Sequence, residues 1–425
     1  MNFSREEFEA ARAIVRPVVP PTPQYAWPLL RERLGMPVWV KHENHTPAGA
    51  FKLRGGLVYF DALAREHSGV TRVISATRGN HGQSVAWGAR RHGLEATIVV
   101  PRGNSTEKNA AMRALGAELV EHGADFQAAR ERAIELAREQ AMHMVPSFHR
   151  GLVLGVSTYW LEFFESFERG EEPEVVYVPI GLGSGFCAAA AARAFCGARS
   201  KLVGVVSAHA TTYLDSFRAG SVVEAPVTTE LADGLACRVA EPQALEIVRK
   251  EADDIVAVTD DEVAEAMRIL FSDTHNVAEG AGAAALAAAI RERGRTGGRA
   301  VGFALTGGNV DTGVFPRVLA GASRRGRQAE GARISTGRAH RLSDLADAAR
   351  GQRGGGAEAI ACLLVLAELS LAHQRSDRDL DAHDVAQHAV DELGRGVAHL
   401  PRLRLRGLVP PGQARDDAPH EALVV

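Results

Sequence analysis

Three features are scarce in this sequence. Only four of its 425 residues are cysteines. Cys187, Cys196, Cys237 and Cys362 show none of the paired spacings of a metal site, and four thiols in so long a chain do not make a disulfide scaffold. The expectation is a reduced, cytoplasmic compartment with structural thiols. An excess of one charge is also missing: the formal net charge is −3, which argues against nucleic acid or an anionic membrane as main partner. No uninterrupted apolar run is long enough to span a bilayer. The opening MNFSREEFEAARAIV lacks the basic-then-apolar layout of a secretory signal. What is present, 46% hydrophobic and 24% charged residues, fits a globular chain with room for two domains and an additional segment.

Ser4 and Glu7 form a capping-box pattern ahead of a helical stretch. A proline-rich turn, 17–28, follows. Short apolar runs then alternate with helical patterns. Strands are expected at 38–41, 72–75, 96–100, 118–121, 175–179, 201–206 and 300–305. Helices are expected at 52–65, 81–92, 107–115, 126–140, 186–196, 260–271 and 280–293. The alternation predicts an α/β protein with mostly parallel sheets. Composition changes near residue 322: Gly321–Ala339 is rich in Arg, Gly and Ala, and 351–356 reads GQRGGG. One helix is expected at 358–372, and the segment 321–425 is otherwise expected to be disordered or weakly folded.

Four stretches carry chemistry. In the first, 43–56 (ENHTPAGAFKLRGG), Lys52 opens a helix after a turn of small residues. The positive end of a helix dipole lowers an amine's pKa and suits imine formation with a carbonyl. Taken alone, a surface lysine starting a helix fits equally well. The second, 75–83 (SATRGNHGQ), lies between a strand and a helix start, where backbone amides can bind a carboxylate. A simple turn capped by Asn80 is the plainer reading. The third, 178–186 (VPIGLGSGF), sets three alternating glycines between a strand and a helix, an anion cradle to which Ser184 can add a hydroxyl. A dinucleotide-binding loop is its rival, but no clear acidic partner follows at the expected distance. The fourth, 306–311 (TGGNVD), places a hydroxyl just past a strand, where it can face a ring nitrogen or an anion; a plain glycine turn is the alternative.

Each signal is modest alone, and their order is the specific feature. Together with Pro21-Thr22-Pro23, 232–236 (ADGLA) and 278–284 (AEGAGAA), the chain resembles the fold-type II pyridoxal-5'-phosphate (PLP) enzymes, and among them the serine/threonine dehydratases, over about residues 5–320. The resemblance implies a two-domain, tryptophan synthase β-like fold, each domain a mostly parallel sheet flanked by helices. The large domain would comprise about 1–45 and 150–320, with a small domain of about 46–149 inserted. It implies PLP as cofactor, carried by Lys52, which would also act as general base. Asn80 would bond the cofactor's 3'-oxygen, and Gly181, Leu182, Gly183, Ser184 and Gly185 would wrap its phosphate. Thr306 would face the ring nitrogen, with Phe51 and Glu279 beside the cofactor. Thr77, Arg78, Gly79 and His81 would receive an amino-acid substrate. The implied reaction is α,β-elimination from a threonine- or serine-type β-hydroxy amino acid, giving a 2-oxo acid and ammonia, and the implied assembly is a homodimer.

The sequence departs from the family's pattern in several places. Arg78 stands where relatives often carry Ser or Ala, which argues against racemisation. Val206 and Thr212 occupy the places where some relatives have acidic metal ligands, so no metal is expected. The stretch 154–158 (LGVST) replaces the usual Ala-Gly-Gln-Gly-Thr, and residues 322–425 do not resemble the regulatory domain that confers isoleucine feedback. A less common substrate (phenylserine, or an intermediate of hydroxyectoine breakdown) and a β-replacement reaction remain open alternatives.

Overall fold

The computed structural model describes residues 1–321. The expectations for the segment beyond concern residues outside that range.

Among the described residues, ten strands form two sheets. In chain order they are β1 (Gln24–Ala26), β2 (Val38–His42), β3 (Arg72–Ala76), β4 (Glu95–Val100), β5 (Glu118–Glu121), β6 (His143–Met144), β7 (Val175–Pro179), β8 (Lys201–Ser207), β9 (Asp254–Val258) and β10 (Val301–Leu305). The larger sheet has the order β1-β2-β10-β7-β8-β9, and the smaller the order β5-β4-β3-β6. Every pairing is parallel except β1 with β2. Parallel strands covered by helices on both faces bury both sets of side chains, so they read as apolar runs without alternation. Val301–Leu305 is buried at every position, and Leu202–Ser207 likewise.

Among the described residues the expected helices and strands fall at the expected places within a residue or two, except that the helix expected at 260–271 runs on to Thr274. Ser4 and Glu7 do form the reciprocal capping box: Glu7 N–H donates to Ser4 Oγ at 3.2 Å and Ser4 N–H donates to Glu7 Oε2 at 2.8 Å. One difference lies in the proline-rich turn, which contains the three-residue edge strand β1. Another is the helix Arg150–Glu165, which no periodicity announces. It is apolar on nearly all sides because it packs against both the helix Lys52–Glu66 and the helix Ser184–Cys196.

The contact between the helices Lys52–Glu66 and Arg150–Glu165 is close because glycines meet there. A methyl group at Gly155 would overlap the carbonyl oxygen of Arg54, and one at Gly55 would lie 2.8 Å from the Leu152 oxygen. The departure at 154–158 therefore keeps the one residue that backbone packing requires.

Arg54, fully buried, ties this crossing to the larger sheet. Its Nε donates to Glu43 Oε2 at 2.8 Å and its Nη2 to Glu43 Oε1 at 3.0 Å; Nη1 reaches Glu162 Oε1 at 2.7 Å and Thr158 Oγ1 at 3.2 Å. Lys41 completes the cluster at 2.7 Å from Glu162, and the Thr22 hydroxyl donates to Glu43 at 2.7 Å. Bidentate pairing is what makes buried charge tolerable. The network fixes the first turn of the helix that begins at Lys52. Arg54→Met should leave two buried carboxylates with reduced pairing and lower the unfolding free energy by about 3–5 kcal/mol. Urea denaturation followed by circular dichroism will measure it, and a loss below about 1 kcal/mol would show the network to be dispensable.

Candidate active site

The chemical stretches follow the carboxyl ends of β2, β3, β7 and β10. Three of those strands, β2, β10 and β7, are adjacent and parallel, so their loops emerge side by side. Ligand crevices of open α/β sheets form at this end.

The loop after β2 is stitched to the loop after β10. Phe51 N–H donates to the Thr306 carbonyl at 3.0 Å, and Gly308 N–H to the Gly49 carbonyl at 2.9 Å. Asn309 Nδ2 donates to the Ala48 carbonyl at 2.9 Å. Gly49 has φ +66°, and a side chain there would strike the Asn309 amide. This pairing presents Lys52 as the first residue of its helix. Burial pushes the Lys52 amine down to about 8, with the Glu279 carboxylate partly opposing the shift. Its Nζ lies 4.6 Å from the centre of the Phe51 ring.

The loop after β3 meets the same place. Asn80 begins the helix Asn80–Arg91. Its Nδ2 donates to Glu279 Oε1 at 2.7 Å, and its Oδ1 accepts from Asn309 Nδ2 at 2.8 Å. Gly79 N–H donates to Thr77 Oγ1 at 3.0 Å, and a Cβ on Gly79 would come within 2.8 Å of the Lys108 side chain. His81 is buried, and desolvation, helped by the Lys52 charge, holds its imidazole down at about 3, so the ring is neutral. Burial raises the Glu279 carboxyl to about 7, against the pull of Lys108. Glu279 Oε2 and His81 Nε2 are buried without a hydrogen-bond partner in the protein.

The loop after β7 supplies the third wall. Gly183 has φ +99° and stands before the helix Ser184–Cys196 without a side-chain cap, so the first amides of that helix are left for a ligand. A Cβ at Gly181 would overlap the Gly234 carbonyl. The Tyr213 hydroxyl donates to the Leu182 carbonyl at 2.9 Å and fixes the loop from behind. An added Cβ at Gly185 would sit 3.8 Å from Phe51 Cζ, so glycine loop and lysine share a wall.

The structure thus brings Phe51, Lys52, Asn80, His81, Glu279, Thr306 and the 181–185 loop into one cleft. Thr77 and Gly79 line its loop, whereas no hydrogen bond or ion pair among the described residues joins Arg78 to the other expected site residues. Three further residues belong to the cleft that sequence reasoning does not assign. Asn309 bridges Asn80 and Ala48. Lys108 is buried and pairs with Asp233 at 2.5 Å. Burial alone would lower Lys108, but Asp233 and Glu279 raise it. Asp233 lies in the quoted ADGLA stretch, which was the available signal; nothing local marks Lys108. Among the described residues no group of three or more His, Cys, Asp or Glu side chains is placed to hold a metal ion.

An amine whose pKa burial has lowered, beside an aromatic ring, and an uncapped glycine-lined helix start across from it, fit a small aldehyde that carries a phosphate. The orphaned Glu279 and His81 atoms mark where further polar groups of a ligand would be met.

The family model described as "Pyridoxal-phosphate dependent enzyme" matches residues 15–307. The chain is 35% identical over 283 residues to the L-threonine ammonia-lyase of Geobacter sulfurreducens, covering 66% of this chain and 69% of that one. It is 31% identical over 315 residues to the L-threonine ammonia-lyase of Thermotoga maritima, covering 74% and 77%. The processed form of threonine deaminase isoform 2 from Solanum lycopersicum superposes with a TM-score of 0.68 at 25% identity, over 76% of this chain and 95% of that one. The chain belongs to the pyridoxal-phosphate dependent enzymes, and its α/β fold is that of their threonine deaminase branch.

Proposed function

We propose that this chain is an ammonia-lyase that removes the elements of water from a β-hydroxy amino acid of the threonine or serine type, and releases a 2-oxo acid and ammonia. The observation that carries this reading is the Lys52 amine, depressed by burial and set between the glycine loop and the Asn80–Glu279 pair. The names of the similar proteins, threonine ammonia-lyase and threonine deaminase, support the same substrate class.

When bound, pyridoxal phosphate supplies the electron sink that makes an amino acid's α-proton removable. Lys52 would tether it, and its amine, lowered by burial, would serve as the base for that proton. The amides of Gly181, Leu182, Gly183, Ser184 and Gly185 would hold the phosphate, and Phe51 shields the amine. Asn80, oriented by Asn309, would hydrogen-bond the cofactor's ring oxygen, and Thr306 would offer a neutral hydroxyl to its ring nitrogen. Such a partner does not force that nitrogen to be protonated, which suits elimination rather than deeper carbanion chemistry. Thr77, Gly79 and the neutral His81 receive the α-carboxylate at the start of the Asn80–Arg91 helix. Glu279, near half-protonation at neutral pH, lies beside both amine and ring.

The reading extends to two domains, one around each sheet, with boundaries near residues 46 and 149, and to a homodimer in a reducing cytoplasm. Free thiols at Cys187, Cys196 and Cys237 support the compartment. Tyr25, about half exposed, and Val277, 38% exposed, support an interface. They are joined by ring contacts through His42 and His45 and by the His45–Asn276 hydrogen bond. No helix among the described residues is long and apolar enough to cross a membrane.

Two outcomes follow. A panel of β-hydroxy amino acids, assayed for ammonia and 2-oxo acid together, should include at least one rapid substrate, and Lys52→Ala should cut its turnover by about 1,000-fold or more. Ammonia release without oxo acid, or wild-type turnover by the variant, would contradict the reading. Imine formation on cofactor-free protein needs the neutral amine. A lysine held at about 8 is about one-quarter neutral at pH 7.5, against roughly 0.1% for an ordinary lysine near 10.4. Reconstitution followed by absorbance should therefore accelerate with pH and level off just above 8. A rate still climbing beyond pH 10 would show that burial does not depress this amine.

A further inference from the structure

The helix Thr106–Ala114 lies between β4 and β5 of the smaller sheet, yet its start is fastened at three points to segments that follow β8 and β10 of the larger one. Ser105, its N-cap, donates to Asp311 Oδ1 at 2.5 Å. Glu107 Oε1 accepts from the Thr312 amide at 2.9 Å. Lys108 Nζ lies 2.5 Å from Asp233 Oδ2. Glu107 is exposed, whereas Lys108 is buried. A buried ammonium is tolerated only when it is paired, and this one is committed to Asp233. It neither anchors the cofactor nor receives the substrate's carboxylate.

Both partners of this ion pair are seated against walls of the cleft. A Cβ on Gly79 would come 2.8 Å from Lys108 Cδ, so the lysine's stem lies against the loop 77–80. Asp233 belongs to the segment 231–236, which is packed backbone to backbone. A Cβ at Gly181 would overlap the Gly234 carbonyl, and one at Gly280 would overlap the Leu231 carbonyl. Gly181 opens the glycine loop, and Gly280 directly follows Glu279. Close-packed neighbours transmit displacement, so a shift of Asp233 reaches both. The charges facing Glu279 are those of Lys108, Asp233 and Lys52. Asn80 hydrogen-bonds its Oε1 at 2.7 Å, and its Oε2 is buried without a partner. The ion pair thus sets a cation and an anion of opposite effect beside one buried carboxyl.

We infer that Lys108, through its ion pair with Asp233, is a positioning residue for the reaction: the pair clasps the loop 77–80 to the segment 231–236, and sets the charge felt by Glu279 between them. This rests on reading the site as a β-hydroxy amino acid ammonia-lyase.

The test uses full-length holoenzyme as wild type, Lys108→Met, Asp233→Asn and the double variant, with whichever β-hydroxy amino acid is turned over. Each single change should lower kcat/KM by about 100-fold, the cost of a small misplacement of groups around the reacting atoms. The double variant should lose about the same 100-fold, because the pair acts as a unit; losses that multiply to about 10,000-fold would overturn the inference. The pH profile separates positioning from general loosening. Burial raises the Glu279 carboxyl to about 7, Lys108 pulls it down and Asp233 pushes it up. The limb of kcat/KM near pH 7 should therefore move to higher pH in Lys108→Met and to lower pH in Asp233→Asn. Shifts in the same direction, or none in either variant, would overturn the inference. If no β-hydroxy amino acid is turned over, the lyase reading fails, and the clasp is decided separately by amide hydrogen exchange of the holoenzyme. Lys108→Met should speed exchange about fivefold or more at both 77–82 and 231–236, while the helix Arg150–Glu165 keeps its wild-type rates. Unchanged exchange at either segment would overturn the clasp.

Discussion

The structure depends on keeping an amine out of water at the start of a helix. An ammonium with no direct ion pair is expensive to bury, and the protein answers by moving Lys52 toward its neutral form, which the nearby Glu279 carboxylate only partly opposes. The same desolvation works in opposite directions on its neighbours: it keeps the His81 ring neutral and makes Glu279 harder to ionise. The cleft therefore holds groups that change protonation at little cost near neutral pH. Such a cleft can tether a carbonyl and move a proton.

Rigidity comes from elsewhere. The crossing of the helices Lys52–Glu66 and Arg150–Glu165 is set by backbone-to-backbone contact at Gly55 and Gly155, and locked by Arg54 between Glu43 and Glu162. Parallel pairing of β2, β10 and β7 then brings three loops to the same edge of one sheet. The smaller sheet delivers the fourth loop, held by the Asn80 amide between Glu279 and Asn309. Charged pairing is spent on the scaffold, while the cleft keeps its unpaired groups: Lys52 and the second oxygen of Glu279.

Much of this is legible in the sequence, for identifiable reasons. Short apolar runs mark the buried parallel strands, and the 181–185 loop and Thr306 sit directly after two of them, while Lys52 follows β2 only after the 43–51 loop. Asn80 and Glu279 are each readable from their motifs, although their hydrogen bond spans 199 positions and is not. Residues whose partners are remote escape a local reading. Lys108 sits in the first turn of an ordinary amphipathic helix and finds Asp233 only through the tertiary fold. The helix Arg150–Glu165 escapes because burial on almost every side erases the 3.6-residue period. β1 escapes because three residues paired to an edge carry no pattern of their own. The Pro21-Thr22-Pro23 stretch is visible as a motif, but its role, the Thr22 hydroxyl on Glu43, needs the structure.

The most direct test of this account is chemical rather than kinetic. Purified protein loaded with pyridoxal phosphate is reduced with borohydride, digested, and its peptides mapped by mass spectrometry. The account predicts a single phosphopyridoxyl label on Lys52. A label on Lys108 or any other lysine, or none on protein that retains the cofactor, would contradict it.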